Sequence, residues 1–118
     1  MADDHPITIS PNSSRVRVNF AGRTVANTTH ALSLKEATYP AVLYIPRADV
    51  DMSLLTRTQH ATHCPYKGDA SYYSISVDGR VAENAIWTYE QPFPGVKQIA
   101  GYMAFYPNRV DAIEQSPA

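Results

Sequence analysis

The sequence predicts a mainly β, single-domain protein, in which an antiparallel sheet with one short helix folds into a half-open barrel or sandwich. Apolar and polar residues alternate in several short runs, as in strands that bury one face. Nine prolines are spaced between these runs and prevent any long helix from forming. Of the 118 residues, 44% are hydrophobic, which is enough for a core and excludes intrinsic disorder.

The first predicted elements are a flexible arm and a hairpin. Residues 1–14 contain two prolines and little apolar material, so we expect a loosely held arm there. Arg15–Phe20 alternates strictly, which places its two valines and its phenylalanine on one face of a strand. Ala21-Gly22 then offers a tight connection to a second strand over residues 23–27.

Two further strands and the short helix follow this hairpin. Residues 30–36 alternate again, whereas residues 41–45 are apolar at every position, which is typical of a strand covered on both faces. Asp49–Leu55 is the best helical candidate. Asp49 or Asp51 can cap the free backbone amides of that first turn.

The second half of the chain predicts another hairpin and two more strands. Ser71–Val77 alternates and is followed directly by Asp78-Gly79, a strong signal for a two-residue hairpin turn. Residues 80–89 should therefore form the antiparallel partner. Residues 101–106 and 110–113 complete the predicted sheet.

Charge and composition exclude several classes of function. Ten basic residues oppose eleven acidic ones, so the net charge of −1 gives no general attraction to nucleic acid or to an anionic membrane. No apolar run approaches the roughly 18 residues that cross a bilayer. The acidic start does not resemble a secretion signal, so we expect a cytoplasmic protein. We expect one domain over residues 15–114 and a tail over residues 115–118.

The turn at Cys64–Gly68 is the most informative chemical feature. The proline at its second position presets a β-turn, which brings the α-carbons of Cys64 and Lys67 within about 7 Å of each other. A nearby ammonium favours the thiolate form of a cysteine. One hypothesis is therefore an enzyme with Cys64 as nucleophile, assisted by Lys67 and either His60 or His63. The alternative is a small buried cysteine beside a solvated turn lysine.

Aromatic residues concentrate in the second half of the chain. Trp87 and Tyr89 share one face of their strand, and rings on both faces of a sheet exceed what one core requires. The second face then lines a pocket or a homodimer interface, unless the rings simply form the core. We predict a small-molecule pocket in which Lys67 and Arg47 anchor an anionic or carbonyl-bearing ligand. Its predicted residues are Tyr66, Lys67, Tyr72, Trp87, Tyr89 and Arg47. An interaction or dimerisation module is the remaining alternative.

The histidines near Cys64 also suggest a metal site, but the pattern is incomplete. Imidazole and thiolate are zinc ligands, yet a structural zinc site needs four ligands and the chain has no second cysteine. His60 and His63 would also face opposite sides of a strand. We therefore expect no metal and no cofactor.

Two charged patterns have simple structural explanations. Asp49 and Asp51 resemble a magnesium-binding pair, but they lie where aspartates cap a short helix, and no phosphate-binding glycine loop is present. Arg15 and Arg17 lie on the outward face of a strand and are explained as solvated charges. We expect neither a nucleic-acid partner nor a membrane partner.

Several blocks of the sequence resemble the bacterial and fungal family of domain of unknown function 427. These blocks are Tyr39-Pro40, Asp49-Val50-Asp51, the Cys64–Gly68 turn, Trp87-Thr88-Tyr89 and Ile99–Tyr106. The resemblance extends from about Val16 to Ile113. It implies a stand-alone, mostly β domain, such as a β-tent-like sandwich, and no established reaction. A nucleotidyltransferase-like label sometimes given to the family would require a magnesium site at the aspartates.

Overall fold

The computed structural model describes residues 6–118, and within them it contains ten strands. In chain order these are β1 (Ile7–Asn12), β2 (Arg15–Phe20), β3 (Arg23–Thr28), β4 (Ala31–Glu36), β5 (Val42–Tyr44), β6 (Leu55–Cys64), β7 (Gly68–Val77), β8 (Arg80–Thr88), β9 (Met103–Phe105) and β10 (Ala112–Ser116). They form three antiparallel sheets with the orders β1-β4-β5, β10-β2-β3 and β6-β7-β8-β9. The predicted mainly β, antiparallel fold is confirmed.

A single backbone bridge joins the first sheet to the four-stranded sheet. Ile45 and Met103 each donate their N–H group to the other's carbonyl oxygen at 2.8 Å. The strands therefore follow the order β1, β4, β5, β9, β8, β7, β6 through one folded sheet. Since β1 and β6 are the outer strands and do not pair with each other, the fold stays open, as predicted for a half-open arrangement.

The four-stranded sheet buries side chains on both of its faces. Tyr73 and Ile75 point into a first core that contains the valines of β2. Tyr72 and Tyr89 point the other way, into a second core with Leu34 of β4. The rings on the two faces of this sheet thus belong to two separate cores, which accounts for the aromatic excess in the sequence.

Within residues 6–118, strands extend into both of the terminal segments that the sequence predicts as an arm and a tail. Instead of a flexible arm over residues 1–14, the chain forms β1, which pairs with β4 and packs its two isoleucines against the second core. Pro11 lies in this strand because β1 is an edge, where the missing N–H group of proline is tolerated. Residues 1–5 of the predicted arm lie outside the described part of the chain. β10 extends to Ser116, into the predicted tail over residues 115–118.

The predicted short helix consists of two 3-10 turns, Arg47–Asp49 and Met52–Leu54. Asp51 caps the second turn by accepting a hydrogen bond from the Ser53 N–H group at 3.2 Å. Asp49 has a different role, since its carboxylate accepts from the Thr28 hydroxyl at 2.7 Å. A third 3-10 segment covers Pro94–Ile99. Within residues 6–118, no helix has the length and apolar character that would let it cross a membrane.

Removal of residues 1–12 should lower the free energy of unfolding by about 3 kcal/mol relative to removal of residues 1–5. The longer deletion removes the hydrogen bonds of β1 to β4 and two half-buried isoleucines, each worth about 1 kcal/mol at half burial. Urea unfolding followed by far-ultraviolet circular dichroism measures this difference. Equal stabilities of the two deletion variants would contradict the assignment of β1 to the folded core.

Candidate functional site

The folded sheet has two arms, one made of β1, β4 and β5 and the other made of β6 to β9. A cleft of about 240 Å³ lies between these two arms. One wall comes from β4 and β5, and the other comes from β7, β8 and the turn that joins β6 to β7. We call this space the aromatic cleft, after the five rings that line it. These rings belong to Tyr44, Tyr72, Trp87, Tyr89 and Tyr106.

The cleft also contains an ion pair that is largely buried. The Lys67 ammonium donates a hydrogen bond to a carboxylate oxygen of Glu36, and the two side chains are only 9% and 17% exposed. Glu36 is the last residue of β4, whereas Lys67 lies in the turn between β6 and β7. The pair therefore joins the two arms of the folded sheet across the cleft. Buried charges are normally paired in this way, because an isolated charge is costly to remove from water.

The turn that carries Lys67 has the geometry predicted from the sequence. The Lys67 N–H group donates to the Cys64 carbonyl oxygen at 3.3 Å, which closes a β-turn over Cys64–Lys67. The Lys67 carbonyl oxygen in turn accepts from the Phe93 N–H group at 2.9 Å. Gly68 has a φ of +117°, which favours glycine, and its backbone lies beside that of residues 91–93. The loop after β8 thus holds the lysine in place.

The aromatic side chains of the cleft are fixed by contacts with one another. The indole N–H group of Trp87 donates to the Tyr44 hydroxyl at 3.2 Å, and the Trp87 and Tyr106 ring centres are 4.5 Å apart. The Tyr72 hydroxyl hydrogen-bonds to the Thr62 hydroxyl at 2.9 Å. These contacts place the rings before any ligand arrives, which reduces the entropy lost on binding.

Burial raises the pKa of several of these phenols. Burial, the largest effect, raises the pKa of Tyr44 to about 12, while its hydrogen bond with Trp87 acts in the opposite direction. Burial and the hydrogen bond with Tyr72 also raise the pKa of Tyr106 to about 12. The pKa of Tyr89 is raised in the same direction, again mainly by burial. A phenol is already protonated near pH 7, and these shifts extend the protonated form of the three side chains to more alkaline pH.

The structure brings together four of the six residues predicted to bind a ligand. The four are Lys67, Tyr72, Trp87 and Tyr89. Tyr66 does not line the cleft, because it lies at the tip of the turn and is 47% exposed. Arg47 lies elsewhere, since its guanidinium donates to the Tyr73 hydroxyl at 3.2 Å and covers that ring, which belongs to the first core.

In the described part of the chain, no hydrogen bond links the side chains proposed for a cysteine-based reaction to one another. Cys64 is half-buried against the second core, and among residues 6–118 no hydrogen bond joins its thiol to Lys67, His60 or His63. His63 instead pairs with the exposed Asp69 at 2.6 Å. His60 packs against the Tyr72 ring, with ring centres 4.4 Å apart.

The carboxylates considered for magnesium have local structural partners. Asp49 accepts from Thr28, and Asp51 accepts from Ser53 and lies 3.8 Å from the Arg23 guanidinium. Among the described residues, no group of three or more histidine, cysteine, aspartate and glutamate side chains is placed to hold a metal ion. Asp51 is therefore explained by capping of the second 3-10 turn, and Asp49 by its hydrogen bond with Thr28 of β3.

Sequence reasoning missed five residues that line the cleft, namely Leu34, Glu36, Val42, Tyr44 and Tyr106. Tyr44 lies in the apolar run that predicted β5, and Tyr106 is the last residue of the predicted strand over residues 101–106. Both tyrosines lie in predicted strands, but neither prediction showed that they line the same cleft as Lys67. No local pattern links Glu36 to Lys67, because the two residues are 31 positions apart in the chain.

The neutral phenol of Tyr44 should stabilise the fold in a pH-dependent way. Since folding raises its pKa from 10.0 to about 12, the contribution is fully present below about pH 10 and is lost as the pH rises towards 12. This difference corresponds to about 3 kcal/mol. Urea unfolding at several alkaline pH values should show a smaller loss of stability for Tyr44→Phe than for the wild type. Tyr39→Phe, at a residue that is 61% exposed, is the matched control. An unchanged alkaline loss in Tyr44→Phe would refute this role.

The chain was compared with families and with curated proteins. The model of the family described as "Domain of unknown function (DUF427)" matches residues 8–116, nearly the whole chain. This span includes most of β1 and every residue of the aromatic cleft. No curated protein matches the chain. The chain therefore belongs to the DUF427 family.

Proposed function

We propose that this protein binds a small, uncharged, single-ring molecule with hydroxyl or carbonyl oxygens in the aromatic cleft. The observation that carries this proposal is the largely buried ion pair of Lys67 and Glu36 on the wall of a cleft otherwise lined by rings. Replacing a buried ion pair by apolar residues of similar volume is often neutral or stabilising. Stability alone is therefore a weak explanation for this pair, whereas recognition of a polar ligand explains its position.

The charge balance of the cleft favours a neutral ligand over the anion considered from the sequence. Glu36 compensates the charge of Lys67, and Arg47 lies at the first core rather than in the cleft. An anionic ligand would meet the Glu36 carboxylate as well as the ammonium. A neutral hydroxyl or carbonyl group, in contrast, can accept from Lys67, and a hydroxyl can also donate to Glu36.

The size of the cleft limits the ligand to about one ring. Its volume of about 240 Å³ is below the roughly 300–1,000 Å³ of pockets for drug-sized molecules. At roughly 30 Å³ per water molecule, it has room for about eight waters. The rings of Trp87 and Tyr106 offer an apolar wall against which a flat or cyclic ligand can pack. These dimensions disfavour a nucleotide.

Fluorescence of Trp87, the single tryptophan of the chain, provides a direct binding test. Cyclohexanol and cyclohexanone should change this fluorescence in a saturable manner, whereas cyclohexanecarboxylate, which has the same ring, should bind at least about tenfold more weakly. The reason is that a carboxylate adds a charge beside Glu36. Saturable binding of the anion with equal or higher affinity would contradict the proposal, as would no response to any of the three probes.

The ion pair can be tested in the same assay. Lys67→Met should weaken binding of cyclohexanol at least about tenfold, because it removes a hydrogen-bond donor of the cleft. Tyr66→Phe is the matched control, since Tyr66 neighbours the lysine but lies outside the cleft, and it should leave the affinity unchanged. Circular dichroism checks that both variants fold. Equal weakening in the two folded variants would contradict a specific role for Lys67.

A further inference from the structure

A second cavity of about 300 Å³ lies where the three sheets meet. Leu43 and Ile45 come from the first sheet, Val18 and Ile113 from the second, and Phe105 from the third. The described residues that line this space carry no ionisable side chain. We call it the apolar cavity. Its chemistry therefore contrasts with that of the aromatic cleft, which holds an ion pair and several phenols.

The topology explains why this space is not filled by the protein. β5 and β9 are three residues long and are joined by one bridge, between Ile45 and Met103. Beyond that bridge no ladder holds them together, and Ala41 and Pro107 lie at the border of the cavity. The side chains of Leu43 and Ile113 are only partly buried there. The corner between the sheets thus stays open enough to admit a molecule.

The size and lining of the apolar cavity define what fits inside. This space is partly open to solvent and has room for about ten waters at roughly 30 Å³ each, which is enough for one aromatic ring. Most of its exposed lining is apolar, so few polar groups hold water there and a small apolar molecule can displace it. Burial of apolar surface is then the driving force for binding.

We propose that the apolar cavity is a second ligand site, which takes a small apolar molecule of about one aromatic ring. This proposal is independent of the ligand of the aromatic cleft. Trp87 and Val42 line both spaces, so the two sites share part of a wall. Trp87 also donates its indole N–H group to Tyr44 in the cleft. Trp87 should therefore sense an apolar ligand in the apolar cavity as well as a ligand in the aromatic cleft.

Toluene, with benzoate as its charged counterpart, tests this site on the full chain. In methyl nuclear magnetic resonance spectra, toluene should shift the signals of Val18, Leu43, Ile45 and Ile113 in a saturable manner. Benzoate should bind at least about tenfold more weakly, because the walls offer no partner for its charge. Shifts that do not saturate, that spread evenly over all methyl groups or that are equal for the two probes would overturn the proposal.

A variant that fills the cavity provides the second arm of the test. Ala41→Phe should weaken toluene binding at least about tenfold, whereas Ala61→Phe, at an exposed position of the outer strand β6, should not. Ile113→Phe fills the same space from another sheet and replaces Ala41→Phe if that variant does not fold. Unchanged toluene affinity in a folded cavity-filling variant would overturn the proposal.

The two sites can be told apart by one further variant. Lys67→Met should leave toluene binding unchanged, since the lysine does not line the apolar cavity. Loss of toluene binding in folded Lys67→Met would overturn the assignment of the site. Conversely, failure of cyclohexanol to bind would refute the proposed function without affecting the toluene result.

Discussion

The ion pair between Glu36 and Lys67 joins the two arms of the folded sheet across the aromatic cleft. Glu36 ends β4, and Lys67 lies in the turn beside the outer strand β6, so the pair spans the open side of the fold. At 9% and 17% exposure, both charges are largely buried, and their pairing offsets part of the cost of removing them from water. The aromatic cleft lies between these two arms, and this pair supplies its charged groups.

The cleft and the apolar cavity are both consequences of how the sheets are joined. The bridge between Ile45 and Met103 connects the first sheet to the four-stranded sheet, whose two faces then serve separate cores. One space lies on the side of the second core, and the other lies at the corner of the three sheets. Because Trp87 lines both, a substitution there affects two environments at once. Variants of residues that line only one of the two spaces are therefore better probes of that space.

Local patterns in the sequence predicted the hairpins well. The strict alternation of Arg15–Phe20 and the Asp78-Gly79 turn both describe contacts between neighbouring segments, which period and turn chemistry determine. β6 was not predicted, because most of its side chains are exposed and it therefore lacks an apolar face. β1 was missed because its proline suggested a loop, although the strand lies at an edge where proline fits.

The candidate site was predictable on one wall only. Lys67, Tyr72, Trp87 and Tyr89 lie on the turn, on adjacent strands of one sheet and just beyond β8, so local periodicity grouped most of them. Glu36 and Tyr44 reach the same space only through the fold of the sheet, and no spacing in the chain encodes that approach. The prediction that Arg47 lines the ligand site was wrong for the same reason. Its guanidinium lies over the ring of Tyr73, which points to the first core on the opposite face of the sheet.

A double-mutant cycle on the ion pair tests the central claim most directly. It measures the free energy of unfolding of the wild type, Lys67→Met, Glu36→Gln and the double variant in urea. If the pair joins the arms as described, each single variant loses about 3 kcal/mol, because one charge stays buried without its partner. The double variant should then lose at least about 2 kcal/mol less than the sum of the two singles. Additive losses, within about 0.5 kcal/mol, would show that the two side chains do not stabilise each other.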